Sequence, residues 1–234
     1  MKPFQFKYFS IQDDRATMKV GTDAVLLGAW VEVGSAKTIL DIGTGSGVIA
    51  LMMAQRSGFD SHVDAIEIDE ASVMQAKENV SRSPWSEKIT IEHTSLQSFK
   101  SGNYDLIVCN PPYFNKSLLP PSASRQAARH TQSLSFEELL VSAKRLLNPS
   151  GIFAVILPFT EGGQLKSMAL SSGLNCHRSM AFYSRKGKPQ ERWLMEFSLE
   201  GRRVTTEPET IVLYTEGERW SEGYVDLTRD FYIR

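Results

Sequence analysis

Short apolar, β-branched runs alternate along this chain with longer stretches whose apolar residues recur every three to four positions. The runs at 38–42, 63–68, 89–93, 104–109 and 152–157 predict strands, and 46–56, 70–81 and 136–147 predict helices between them. The last helix has a start signal in Ser135 with Glu138 three residues on. It carries an apolar stripe of Leu139, Leu140, Ala143, Leu146 and Leu147, and Asn148-Pro149-Ser150-Gly151 stops it. Residues 22–33 predict a further helix ahead of the first strand. Strand–helix alternation of this kind predicts an α/β fold, a doubly wound and mostly parallel sheet covered on both faces. Two later strand-like runs, 175–184 and 192–200, flank a basic turn and predict an antiparallel edge hairpin. The polar stretch after Gly201 reads as an appended tail. One domain is expected: an extension and helix over 1–33, a core over 34–200 and a tail over 201–234.

Composition narrows this picture. The 234 residues, 41% hydrophobic and 23% charged, suffice for one domain with its own core and exclude a disordered chain. No run of about 18 apolar residues exists to span a membrane, and the start lacks the apolar segment of a signal peptide. Cys109 and Cys176, the only cysteines, sit inside apolar runs, which suits a reducing compartment and a cytoplasmic location. The net charge of −1 means that any surface for phosphates must be local.

The strongest local signal is Leu40-Asp41-Ile42-Gly43-Thr44-Gly45-Ser46-Gly47-Val48, which follows a strand and opens a helix. Glycines there allow a sharp turn and close approach of a ligand to the backbone. Glu67, twenty residues beyond Gly47 and followed by Ile68, falls at the end of the second strand, where a carboxylate can accept from both hydroxyls of a ribose. A nucleoside-bearing cofactor follows. An acid at Asp41 would repel a pyrophosphate and suits the ammonium of an amino-acid tail. The pattern Asp-x-Gly-x-Gly-x-Gly resembles motif I of class I methyltransferases, which bind S-adenosylmethionine, and the resemblance covers roughly residues 38–157.

The fourth strand ends in Asn110-Pro111-Pro112-Tyr113. Two prolines stiffen the backbone and remove N–H donors, which leaves the Asn110 side-chain oxygen and the Pro111 carbonyl as acceptors beside the aromatic face of Tyr113. An exocyclic amine on a base is a poor nucleophile because its lone pair is delocalised into the ring. Two acceptors holding its protons favour a pyramidal nitrogen, stabilise the positive charge that develops during in-line attack on a sulfonium methyl, and need no strong base. Tyr113 would stack on the base. The loop resembles motif IV of amino-methyltransferases, whose acceptors include adenine N6, guanine N2 and a glutamine amide.

The segments 4–9 and 18–30, the two loops, Ala128-Arg129-His130 and the closing Asp230-Phe231-Tyr232 resemble the family of tRNA1(Val) adenine-37 N6-methyltransferases over almost the whole chain. The resemblance implies a Rossmann-like class I methyltransferase with a seven-stranded sheet, and an anticodon-loop adenosine as substrate. It also implies that Lys19, Gly21, Thr22 and Asp23 line the methionine end of the cofactor, although Gly-Thr-Asp equally reads as a helix cap. Where such enzymes often place an Asp after the third strand, this chain has Ser95, with Leu96 next. Adenine contacts are expected from these two.

Two basic stretches can grip phosphates. One holds Lys116, Arg125, Arg129 and His130, with 114–132 read as a lid that orders on RNA. The other, around the hairpin turn, holds Arg178, Arg185, Lys186, Lys188 and Arg192, against Glu191. No metal-ligand spacing occurs, and a monomer is expected. The rival readings are a guanine-N2 methyltransferase of ribosomal RNA, a nicotinamide-dependent oxidoreductase and an inactive RNA-binding scaffold.

Overall fold

The computed structural model describes residues 2–111, 134–199, 201–205 and 207–233. A short antiparallel ribbon of β1 (Phe4–Gln5) and β2 (Ser10–Ile11) leads to α1 (Thr22–Trp30). Next come β3 (Thr38–Ile42), α2 (Val48–Arg56), β4 (His62–Glu67), α3 (Glu70–Ser81), β5 (Ile89–His93) and β6 (Tyr104–Cys109). The second half holds α4 (Phe136–Leu146), β7 (Leu147–Pro158), α5 (Phe159–Ser171), β8 (Asn175–Arg185), β9 (Arg192–Ser198), β10 (Glu209–Tyr214) and α6 (Glu222–Leu227).

The main sheet has the order β10-β8-β9-β7-β6-β3-β4-β5, and only β9 runs against its neighbours. The expected class is present, with eight strands rather than seven. The additional strand is β10, which pairs parallel with β8, so the hairpin is flanked on its outer side and does not form the edge. The segment read as a tail is therefore part of the sheet. Its Tyr224 and Phe231 are buried in the main core, and Tyr232 stacks on Phe6 of the N-terminal ribbon at 5.9 Å.

Alternate residues of each central strand feed two cores. Ile39, Leu106, Val108 and Ala154 face α1, α2 and α3, whereas Leu40, Ile107, Cys109 and Phe153 face α4 and α5. Burial on both faces is why these strands read as unbroken apolar runs. The predicted capping box at the start of α4 is present: Ser135 Oγ accepts from the Glu138 N–H, and the Glu138 carboxylate accepts from the Ser135 N–H.

The chain order along the sheet turns back between β3 and β6. β4 and β5 lie to one side of β3, and β6 and β7 to the other. In a doubly wound sheet, the carboxyl ends at such a reversal open a crevice for ligands. Ile42 pairs with Cys109 in the register, so Gly43 and Asn110 leave the sheet side by side.

Candidate functional site

The glycine loop is held in left-handed backbone at Gly43, Gly45 and Gly47, with φ of 70°, 56° and 85°. The Gly43 and Thr44 N–H groups both donate to the Ile66 carbonyl, tying the loop to the end of β4. A Cβ at Gly43 or Gly45 would meet nothing within 4 Å, so these two positions keep the backbone bare toward open space. Gly47 does different work. It caps α2 and lets Ala76 of α3 approach to 3.4 Å of where its own Cβ would be.

Glu67 ends β4 with its carboxylate already oriented. One oxygen accepts from the Gly45 N–H at 3.0 Å, the other from the Ile68 and Asp69 N–H groups at 2.8 and 3.0 Å. Asp41 lies beneath the loop and is fully buried. Its Oδ2 accepts from the Thr44 hydroxyl at 2.6 Å and the Ala50 N–H at 3.1 Å, while Oδ1 has no partner among the described residues. Burial pushes its pKa up to about 7, against the pull of those two hydrogen bonds.

These elements border one cavity of about 970 Å3. Its floor is Gly43, Thr44, Gly45 and Ser46; Glu67, Ile68, Ser95 and Leu96 close one end, and Asn110 stands at the β6 side. Lys19, Gly21, Thr22 and Asp23 form a further wall. The structure thus brings together every described candidate for cofactor binding except Asp41 and Gly47. Asp41 lies under the loop, held by Thr44 and Ala50, and Gly47 packs against Ala76; neither lines the cavity. Pro111 is buried and is not among the residues lining the cavity. Tyr113, Lys116, Arg125, Arg129 and His130 lie outside the described residues.

Arg192, read from the sequence as one of the phosphate-gripping residues, has a different partner here, and several other wall residues were missed by sequence reasoning. Arg192 of β9 donates through Nε to Asp23 Oδ2 at 2.9 Å, a partly buried pair that fixes the start of α1 against the hairpin. Thr94, Gln97, Ser184 and Glu191 complete the rim. No motif announces these positions, because they are set by the sheet order. Gly21 is the N-cap of α1 and Thr22 its first residue, so the cap has no side-chain bond. Lys19 is tied to Asp13 at 3.6 Å. The Ser95 hydroxyl accepts from the Ser98 N–H at 3.2 Å, so it also shapes its own turn.

The hairpin basic stretch is divided in use. Arg185 lies over the Tyr214 ring at 5.1 Å and donates to the Gly217 carbonyl, whereas Lys186 and Lys188 are exposed and do not line the cavity.

Comparison with known proteins gives the family and the fold. The methyltransferase small domain family matches residues 16–166. A tRNA1(Val) (adenine(37)-N6)-methyltransferase from Tolumonas auensis is 43% identical over 231 residues, 99% of this chain and 97% of that protein. One of the same description from Bacteroides fragilis is 42% identical over 235 residues, 99% of this chain and 98% of that protein. Among solved structures, a predicted O-methyltransferase from Agrobacterium tumefaciens shares the fold, with a TM-score of 0.67, 17% identity, and coverage of 89% of this chain and 96% of that one. Near-full-length identity of this order, with a glycine loop and an Asn110 strand end opening on one cavity, places the chain in the tRNA1(Val) (adenine(37)-N6)-methyltransferase family.

Proposed function

We propose that this protein transfers a methyl group from S-adenosylmethionine to N6 of adenosine-37 in tRNA1(Val), in the cytoplasm. The observation that carries the reading is the shared cavity. The bare glycine loop, the Glu67 carboxylate and Asn110 all face it, and Gly43 and Asn110 start from paired positions on neighbouring strands.

The residues present fit the cofactor. Gly43 and Gly45 offer a backbone cradle free of Cβ atoms, and Glu67 offers a carboxylate fixed by three N–H groups for ribose hydroxyls. Ile68 and Leu96 are apolar walls for an adenine ring, and Thr22 and Asp23 offer acceptors to an ammonium. When bound, the cofactor supplies an electrophilic methyl on a sulfonium. Asn110 and the Pro111 carbonyl then hold the protons of the target amine, so that its lone pair is aimed and its rising positive charge meets preorganised dipoles. Tyr113 would stack on the base. The cavity is at the upper end of the usual ligand-site range, which leaves room for a flipped base beside a nucleoside.

The test is methylation of bulk tRNA with labelled cofactor, followed by nucleoside identification. N6-methyladenosine at position 37 of tRNA1(Val) is expected, and Asn110→Ala should lose roughly 100-fold or more in kcat with cofactor affinity kept. N2-methylguanosine formed in ribosomal RNA, with bulk tRNA left unmodified, would replace this reading with the ribosomal one.

A further inference from the structure

Phe159, the first residue of α5, carries one of the larger exposed apolar side chains, 47% exposed, at the carboxyl end of the central sheet. Its place is fixed by the register. Cys109 of β6 pairs with Val155 of β7, and Pro158 of β7 pairs with Arg192 of β9. Phe159 therefore stands one strand across from Asn110 and about 10 Å above it, at 3.3 Å per residue. Arg192, which lines the cavity, lies on its other side. The Phe159 N–H donates to the Glu191 carbonyl, so the backbone beneath the ring is pinned to the cavity rim.

The ring is also supported. It lies against Trp193 at 5.6 Å between centroids and 32° between planes, and Lys166 Nζ sits 4.7 Å from the Trp193 centroid. Gly162 permits this layer, because a Cβ there would stand 3.2 Å from the Trp193 Cβ. The result is an aromatic pair with a cation on Trp193, partly open to solvent; the pair does not itself line the cavity but adjoins Glu191 and Arg192, which do. An aromatic face backed by positive charge is the usual seat for an unstacked base, and it tolerates any base because each has a π-face.

We propose that Phe159, backed by Trp193 and Lys166, is a stacking platform for the nucleobase next to the target adenosine in the tRNA loop. The proposal rests on the functional reading above. Withdrawing one base into the cavity breaks the loop's own stack, and the platform replaces the contact that the neighbouring base loses.

The test uses the full protein and an anticodon stem–loop RNA, intact or with an abasic residue on either side of the target. Phe159→Ala should raise the Kd for intact RNA roughly 5- to 100-fold, the range of one base–aromatic stack. Phe159→Trp should restore it to within about threefold, and the Kd for S-adenosylhomocysteine should stay unchanged in both variants. One abasic flank should weaken the wild type and cost Phe159→Ala nothing. If the wild type methylates the RNA while Phe159→Ala binds it equally well, or if the alanine and abasic penalties simply add, the platform is overturned alone. If the wild type fails to methylate this RNA, the functional reading falls and takes the platform with it.

Discussion

Asn79 of α3 donates its side-chain amide to the Ser46 carbonyl at 2.8 Å, joining the glycine loop to a helix thirty-three positions on. The same amide donates to the Gln12 carbonyl at 2.7 Å, and its oxygen accepts from the Gln12 N–H at 2.9 Å. Gln75 and Ser72, on the same face of α3, hold the N–H groups of Arg15 and Thr17. Residues 12–17 thus form a strap laid along α3, and Thr17 to Gly21 continue it into the cavity wall.

Asn79→Ala is therefore expected to loosen loop and strap together. The Ser46 carbonyl, in a buried bond, loses its partner at a cost of about 1–3 kcal/mol, and the partly buried Gln12 N–H and carbonyl lose theirs at less. Cofactor affinity should fall about 10-fold or more while kcat at saturating cofactor changes little. Gln75→Ala should weaken affinity in the same direction by less, since it leaves Ser46 held. Titration calorimetry with S-adenosylhomocysteine and a split of KM from kcat check both. Equal affinity in Asn79→Ala would show that the strap plays no part in cofactor binding.

A second coupling fixes the far end of α1. Glu196 is fully buried, accepts from the Glu32 N–H at 2.7 Å, and lies 3.3 Å from Arg178 Nη1. Arg178 also stacks over Trp30 at 4.4 Å and pairs with Glu209 of β10. Burial pushes the Glu196 pKa up, with the neighbouring guanidinium opposing it. Arg178→Ala leaves a buried carboxylate without its cation, and a loss of about 3–5 kcal/mol is expected. Adding Glu196→Gln should recover part of that loss, so the double variant should be more stable than Arg178→Ala alone. Denaturant midpoints measure the cycle, and additive losses would show that the pair is not coupled.

Much of this fold is legible from periodicity, because β3, β4, β6 and β7 are buried on both faces and read as apolar runs. The loop positions are legible too, because Gly43 and Gly45 take the left-handed backbone that the glycine pattern predicts, and Asn110 leaves the neighbouring strand end beside them. What escaped has physical reasons. Helix α5 contains Gly162 and Gly163 and buries few apolar residues, among them Leu165 and Ala169, so it carries no full stripe. Strand β10 buries only Ile211 and Leu213 in alternation after a polar stretch. Arg178 and Arg192 look like free basic residues in the sequence; Glu196 and Asp23, which absorb their charge, come from distant segments. Asp41 has the right spacing for a ligand contact, and only the packing of α2 shows that its carboxyl turns inward.

That inward carboxyl makes stability depend on pH. The folded pKa of Asp41, about 7, is above its ordinary value of 3.8 because burial disfavours the charged form. Between those values the native state binds more protons than the unfolded state, so the contribution of this group falls as pH rises, and the loss is complete above about 7. Asp41→Asn keeps an acceptor for Thr44 and Ala50 and removes the charge. Relative to the wild type it should gain on the order of 3 kcal/mol between pH 5 and pH 8. That gain corresponds to roughly 6–12 °C in Tm for a chain of this size. A constant Tm difference across that range would mean that Asp41 does not titrate there.

Glu67 offers the sharpest separation of cofactor binding from folding. Its carboxylate is 9% exposed and opens on the cavity, and its three N–H donors come from the glycine loop and the start of α3. Glu67→Gln keeps the shape but turns an NH2 group toward one set of those donors, so a charged acceptor is lost to the backbone and to any ribose. Hydrogen bonds to charged groups are worth about 1.5–3 kcal/mol each, so S-adenosylhomocysteine affinity should fall roughly 10- to 100-fold. The loss should be smaller for a cofactor analogue lacking the ribose hydroxyls, because that analogue has less to lose. Calorimetry with the two ligands checks this. If glutamine weakens both equally, Glu67 acts only by shaping the loop, and the ribose-binding role passes elsewhere.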